Sequence, residues 1–101
     1  MELKAGARLR SAVGDAEFVV IRATGGDVAL TCGGLPVLGG DDDSAKAAIR
    51  AGHEGSVLLG KRYVDEADTL ELLCTKPGEG DLAVDGLQLQ LKSAKPLPSS
   101  D

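Results

Sequence analysis

Two cysteines, a single histidine and two clusters of carboxylates are the residues of this 101-residue chain whose types could do chemistry. Cys32, His53 and Cys74 could ligate a metal, or pair a thiol nucleophile with a base. They are scattered from position 32 to position 74, with none of the short paired spacings of a tetrahedral site. Cys32 and Cys74 end or interrupt apolar alternations, so each reads as a small buried hydrophobe whose thiol is kept protonated. His53 lies in Gly52-His53-Glu54-Gly55 and reads as a solvated loop residue. Asp41-Asp42-Asp43 lacks the alternating oxygen ligands, the glycine and the distal Glu of a calcium loop, and reads as a solvated linker. Asp65-Glu66 with Asp68 reads as a polar bend between strands. Gly33-Gly34 and Gly39-Gly40 fit neither phosphate-cradling pattern. No catalytic residue, metal set or cofactor is therefore assigned, and the chain reads as a non-enzyme.

A basic group remains. Arg8, Arg10 and Arg22 fall on neighbouring predicted strands, and Lys61 and Arg62, beside Tyr63, extend them. Such a patch could meet an acidic partner or a phosphorylated ligand. Solvated sheet-edge positions, where cations discourage edge-to-edge pairing, are the plainer reading.

The elements that must position these residues are β-strands. Phe18-Val19-Val20-Ile21 is an apolar, β-branched run too short for a helix and reads as a buried strand. After Thr24-Gly25-Gly26-Asp27, a hairpin turn, Val28 to Cys32 alternates as a returning strand with Val28, Leu30 and Cys32 on one face. Leu35 to Leu38 reads as an edge segment because Pro36 cannot donate to a ladder. Ser56 to Leu59 and Lys61 to Val64 read as strands broken at Gly60, and Thr69 to Lys76 as a longer one. Pro77 to Gly80 is a turn, Leu82 to Val84 a return, and Asp85-Gly86 a two-residue hairpin. Leu87 to Lys92 alternates strictly and places three leucines on one face. Between these halves, Ala-Lys-Ala-Ala-Ile-Arg-Ala is preceded by acidic and Ser caps and followed by Gly52, which predicts one short helix over about 43–51. Gly26-Asp27-Val28-Ala29-Leu30 and Gly80-Asp81-Leu82-Ala83-Val84 echo one another, and shared hairpin chemistry accounts for that more simply than duplication.

Composition bounds the rest. Apolar residues are 43% of the chain, but Phe18 and Tyr63 are its only aromatics, so the core is aliphatic and no base-stacking platform exists. A formal charge of −5 repels phosphate backbones and anionic membranes, which argues against nucleic-acid and membrane partners. No long apolar run and no leader pattern occur, so a cytoplasmic protein with reduced thiols is expected.

From Gly6 to Leu38 the chain resembles the desulforedoxin-type metal ribbon, in Gly6-Ala7-Arg8-Leu9-Arg10-Ser11-Ala12-Val13-Gly14-Asp15, the strand Phe18 to Ile21, and Gly25-Gly26-Asp27 to Thr31-Cys32-Gly33. That family binds one iron through C-x2-C and an adjacent Cys-Cys pair. The resemblance places Ser11, Gly14, Thr31 and Cys32 at those four positions, with one extra residue near Ala16-Glu17, so a single ligand survives and the site is degenerate and metal-free. From Gly60 to Pro98 the chain resembles small uncharacterised actinobacterial proteins, which implies no activity.

The sequence thus predicts one mainly β domain over 1–95, a small antiparallel sandwich or open barrel of six to eight short strands with one short helix. It comprises a ribbon-like hairpin at 6–38 and a meander at 55–95, and 96–101 form a flexible tail. The expected function is that of an accessory or protein-interaction domain, with a protein partner or a second copy as its target. A binder of small apolar ligands or acyl groups is the alternative, and a thiol or metal protein centred on Cys32 a third.

Overall fold

In a computed structural model, residues 2–23 and 26–92 are described. These residues are all-β, with twelve short strands among them: β1 (Arg8–Arg10), β2 (Glu17–Arg22), β3 (Leu30–Cys32), β4 (Leu35–Pro36), β5 (Leu38–Gly39), β6 (Ser56–Val57), β7 (Arg62–Val64), β8 (Glu71–Lys76), β9 (Gly78–Glu79), β10 (Leu82–Val84), β11 (Leu87–Gln88) and β12 (Gln90–Leu91). They form antiparallel sheets ordered β12-β7-β8-β2-β1-β5, β11-β10-β3-β4 and β6-β9. One aliphatic cluster joins the two larger sheets, with Phe18, Val20, Leu72 and Cys74 from one and Leu30, Cys32, Leu82 and Val84 from the other. Each large aliphatic side chain so buried contributes about 1.5–3 kcal/mol.

Both larger sheets read the same from either end, because the chain is two copies of one unit. Arg8, Leu9 and Arg10 pair with Val19, Phe18 and Glu17, and Arg62, Tyr63 and Val64 pair with Leu73, Leu72 and Glu71, each position displaced by 54 residues. Beyond the β2–β3 connection the displacement is 52, so that Leu30 corresponds to Leu82, Gly34 to Gly86 and Leu35 to Leu87. Hydrogen bonds outside the strands repeat in the same way. Gly6 N–H donates to Val20 O (2.7 Å) and Gly60 N–H to Cys74 O (2.9 Å); Val37 N–H donates to Leu30 O (3.1 Å) and Leu89 N–H to Leu82 O (2.8 Å). The units meet through β2 on β8 and β3 on β10, a two-fold arrangement within one chain.

Several expectations are corrected. The expected small, mainly β antiparallel architecture is present, but the described residues form twelve short strands rather than six to eight, because predicted long strands change sheets partway. Leu35 to Gly39 leaves β3 for β1 at buried Val37, and Leu87 to Leu91 leaves β10 for β7 at buried Leu89. That crossing breaks the expected alternation: Leu89 is 6% exposed, but Leu87 and Leu91 are 61% and 48% exposed. The predicted turn Pro77 to Gly80 contains β9, which pairs with β6.

The helix over 43–51 does not form. Two Ala-rich turns with Ile49 as their one large apolar residue cannot outweigh nucleation, and the backbone bonds elsewhere. Ala47 N–H donates to Ala12 O (2.8 Å) and Arg50 N–H to Gly33 O (2.9 Å). Thr24 and Gly25 of the predicted hairpin turn, and the predicted tail 96–101, lie outside the described residues.

Candidate functional site

Ser11 opens the bend between β1 and β2. Its N–H donates to Ala16 O (2.9 Å), and its buried Oγ accepts the N–H groups of Val13 (3.0 Å) and Gly14 (3.2 Å). Cys32, at the end of β3, faces the same spot. Its Sγ lies 3.7 Å from Gly80 O and 4.0 Å from Glu79 O, and its thiol is completely buried. A Cβ on Gly14 would lie 3.2 Å from Glu79 O. Three of the four positions matched to the ribbon therefore come together, Gly14 and Cys32 against the end of β9 at Glu79 and Gly80 and Ser11 beside Cys32, whereas Thr31 points to the neighbouring strand and donates to Ala83 O (3.4 Å). Burial pushes the Cys32 thiol up, against the opposing effect of Ser11. With Ser11 already accepting two backbone bonds and Cys32 held protonated, this spot is built as a packed, hydrogen-bonded core.

The 46–55 segment covers it. Ile49 Cγ1 would be 3.5 Å from a Cβ placed on Gly33, where Val13 Cγ2 already stands at 2.6 Å, so a side chain cannot fit. Lys46 pairs with Asp15, and Gly80 N–H donates to Gly55 O (2.7 Å). His53 is corrected from a solvated residue to a half-buried one, its Nδ1 3.1 Å from both carboxylate oxygens of Asp81. A base with its orienting carboxylate is half of a nucleophilic set, but among the described residues no hydrogen bond joins His53 to Cys32. Cys74 is buried in the other sheet, where burial raises its pKa and its Sγ lies 3.1 Å from Lys76 O. Among the described residues no three His, Cys, Asp or Glu side chains form a metal-holding group.

Among the described residues nothing covers the equivalent place in the second unit. A groove of about 380 Å³ is lined by Leu3, Val28, Leu70, Val84 and Leu87 and rimmed by Asp65, Glu66 and Asp85. Asp65 stands where Ser11 does. Its Oδ1 accepts Thr69 N–H (2.6 Å) and Leu70 N–H (3.0 Å), and its own N–H donates to Leu70 O (3.2 Å). Burial opposes ionisation of Asp65, but those bonds and the Thr69 hydroxyl outweigh it and hold the carboxyl below its usual range. Asp85 and Gly86 turn β10 into β11 at φ +51° and +84°, matching Gly33 and Gly34 at +65° and +86°, as a two-residue primed turn demands. Asp85 Oδ1 accepts Ala29 N–H (2.9 Å). No motif in the sequence marks this groove, because its walls come from both units and Leu87 belongs to a segment that reads as one alternating strand.

The basic residues are separated. Arg22 and Arg62, with Lys92, surround the buried carboxylate of Glu71 at 3.7, 3.1 and 2.8 Å. Arg22 also pairs with Asp68 at 2.7 Å. Arg10 instead holds the 42–44 loop, donating to Asp42 O and, at 2.7 Å, to Ser44 O. Arg8 and Lys61 form no ion pair among the described residues. Most of the predicted patch thus tethers the fold. Among the described residues no helix is long and apolar enough to cross a membrane. No family model, curated protein or solved structure matches this chain.

Proposed function

We propose that this chain is a non-enzymatic protein-interaction domain, a pair of ribbon-like units whose metal positions are degenerate and metal-free. The observation that carries the reading is the groove of the second unit, an apolar hollow with exposed Leu87 on its lip and carboxylates on its rim. Apolar surface left accessible beside charge is the composition of a contact site. The packed state of Ser11 and Cys32 supports the metal-free part, as does the presence of Asp65, Asp68, Ala83 and Val84 at the equivalent positions of the second unit. A net charge of −5 favours a protein partner, or a second copy, over nucleic acid or an anionic membrane. Light scattering coupled to size-exclusion chromatography, with capture of partners from native lysate, tests it. A strict monomer that retains nothing contradicts it.

The same groove favours a second reading, a binder of small apolar ligands, since about 380 Å³ falls within the usual range for such sites. Native mass spectrometry of the purified protein distinguishes the two by the presence or absence of a retained small molecule.

A further inference from the structure

Among the described residues the two units differ in how one equivalent place is filled, and the covered one displays what the uncovered one is shaped to take. In the first unit an extended stretch of the chain's own, Ala47 to Arg50, lies across the site. It is fixed by Ala47 N–H on Ala12 O and Arg50 N–H on Gly33 O, with Ile49 directed at Gly33 and Val13. By the repeat's displacements, the residues it meets, Ala12, Val13 and Gly33, correspond to Glu66, Ala67 and Asp85 of the groove, and the adjoining Ala16 and Cys32, which pack against Gly78 and Gly80, correspond to Leu70 and Val84. Two of these exchanges, to Leu70 and Val84, enlarge an apolar wall, and a third, Val13 to Ala67, keeps it apolar but smaller. The other two, to Glu66 and Asp85, add carboxylates at the points where the covering segment's backbone bonds in the first unit.

Resting on the interaction reading above, we propose that the groove binds an extended peptide segment of a partner protein in which an aliphatic residue stands beside a Lys or Arg, in the manner of Ile49-Arg50. The aliphatic side chain enters between Leu70 and Val84. The partner's backbone N–H groups meet the carbonyls of the Asp65–Asp68 bend and the β10–β11 turn, as Ala47 and Arg50 do in the other unit. Its cation lies against Glu66 and Asp85. Segments that dock through main-chain bonds draw affinity from the backbone and specificity from alternate side-chain pockets, and the acidic rim selects the charge.

The test is a titration of the full-length, isotopically labelled protein with a synthetic peptide of the chain's own 44–52 sequence, followed by amide chemical shifts. The expected result is saturable shifts at Leu70, Val84 and Leu87 with a dissociation constant of about 0.1 mM. Ile49→Ser in the peptide weakens binding about tenfold or more, and Arg50→Glu about fivefold. Leu87→Lys or Glu66→Lys in the protein, both at exposed positions, weakens it severalfold without moving the melting temperature. An uncharged solvatochromic dye is run beside it. Dye bound at the groove with no peptide shifts overturns the peptide inference while the interaction reading stands, as does equal binding of the Arg50→Glu peptide. Absence of both dye and peptide overturns both. Shifts confined to Val13 and Gly33, or contacts from Leu97 to Leu70 before any peptide is added, overturn the inference as well.

Discussion

The two units of this protein share a backbone plan and differ in what covers one end of it. The first is covered by its own 46–55 segment at Ala12, Val13 and Gly33, beside the small residues Ala16 and Cys32. The second presents larger apolar walls, Leu70 and Val84, and an acidic lip at Asp85. Among the described residues, one copy is thus covered from within and the other leaves an apolar surface uncovered. Gly33 against Asp85 carries the difference in one residue. At matching positive φ values, the first has no room for a Cβ and the second has room for a carboxylate.

Exchanging those turn residues breaks the comparison with the largest effect. Gly33→Asp forces a Cβ into Val13 and displaces Ile49, and costs about 2–4 kcal/mol by urea denaturation. The reverse exchange, Asp85→Gly, gives up the bond to Ala29 N–H but relaxes a left-handed residue, and costs about 1 kcal/mol or less.

The two equivalent glutamates come next. Glu71 is buried among Arg22, Arg62 and Lys92, whereas Glu17 is exposed, 3.8 Å from Lys76. Glu71→Gln costs about 1–2 kcal/mol, since three cations lose their carboxylate, and Glu17→Gln stays within about 0.5 kcal/mol. The hydrogen bond from Lys92, against burial and with help from Arg62, holds the Glu71 carboxyl below its usual range. Its stabilisation is therefore full above the unfolded pKa of about 4.3 and is lost as pH falls through the lower folded value. Wild type loses more stability between neutral and acid pH than Glu71→Gln does, which denaturation at several pH values reads directly.

The seal itself gives a small stability effect and the clearest chemical one. Ile49→Ser removes about 1 kcal/mol from a half-buried position. It also loosens the segment over the first unit, so that Cys32 reacts faster with a soluble disulfide reagent while Cys74, in the other sheet, keeps its rate.

The sequence made most of this architecture legible and hid its repetition. Leu82 to Val84 and the Asp85-Gly86 turn were readable because turn chemistry and strand alternation agree there. The helix over 43–51 was not, since cap and propensity signals describe an isolated segment, and Ile49 gains more by filling the first unit than by forming two marginal turns. The three-leucine face failed because a sheet crossing at Leu89 turns its neighbours outward. The echo at Gly26 and Gly80 was aligned two residues out of structural register. The connection after Arg22 is two residues longer than that after Lys76, so no single displacement superposes the units. The ligand-like positions drew attention to Ser11, Gly14 and Cys32, and the structure assembles those three, but the open counterpart at Asp65 and Val84 carries no motif.

The second unit's groove, and not the first unit's covered counterpart, is the surface proposed to meet a partner. A photo-crosslinking residue placed in turn at Leu87 and at its counterpart Leu35, in the full chain exposed to native lysate, tests that directly. The predicted result is an adduct from position 87 alone, whose sequenced peptide carries an aliphatic residue beside Lys or Arg. Adducts of equal yield from both positions, or none from position 87, would contradict it.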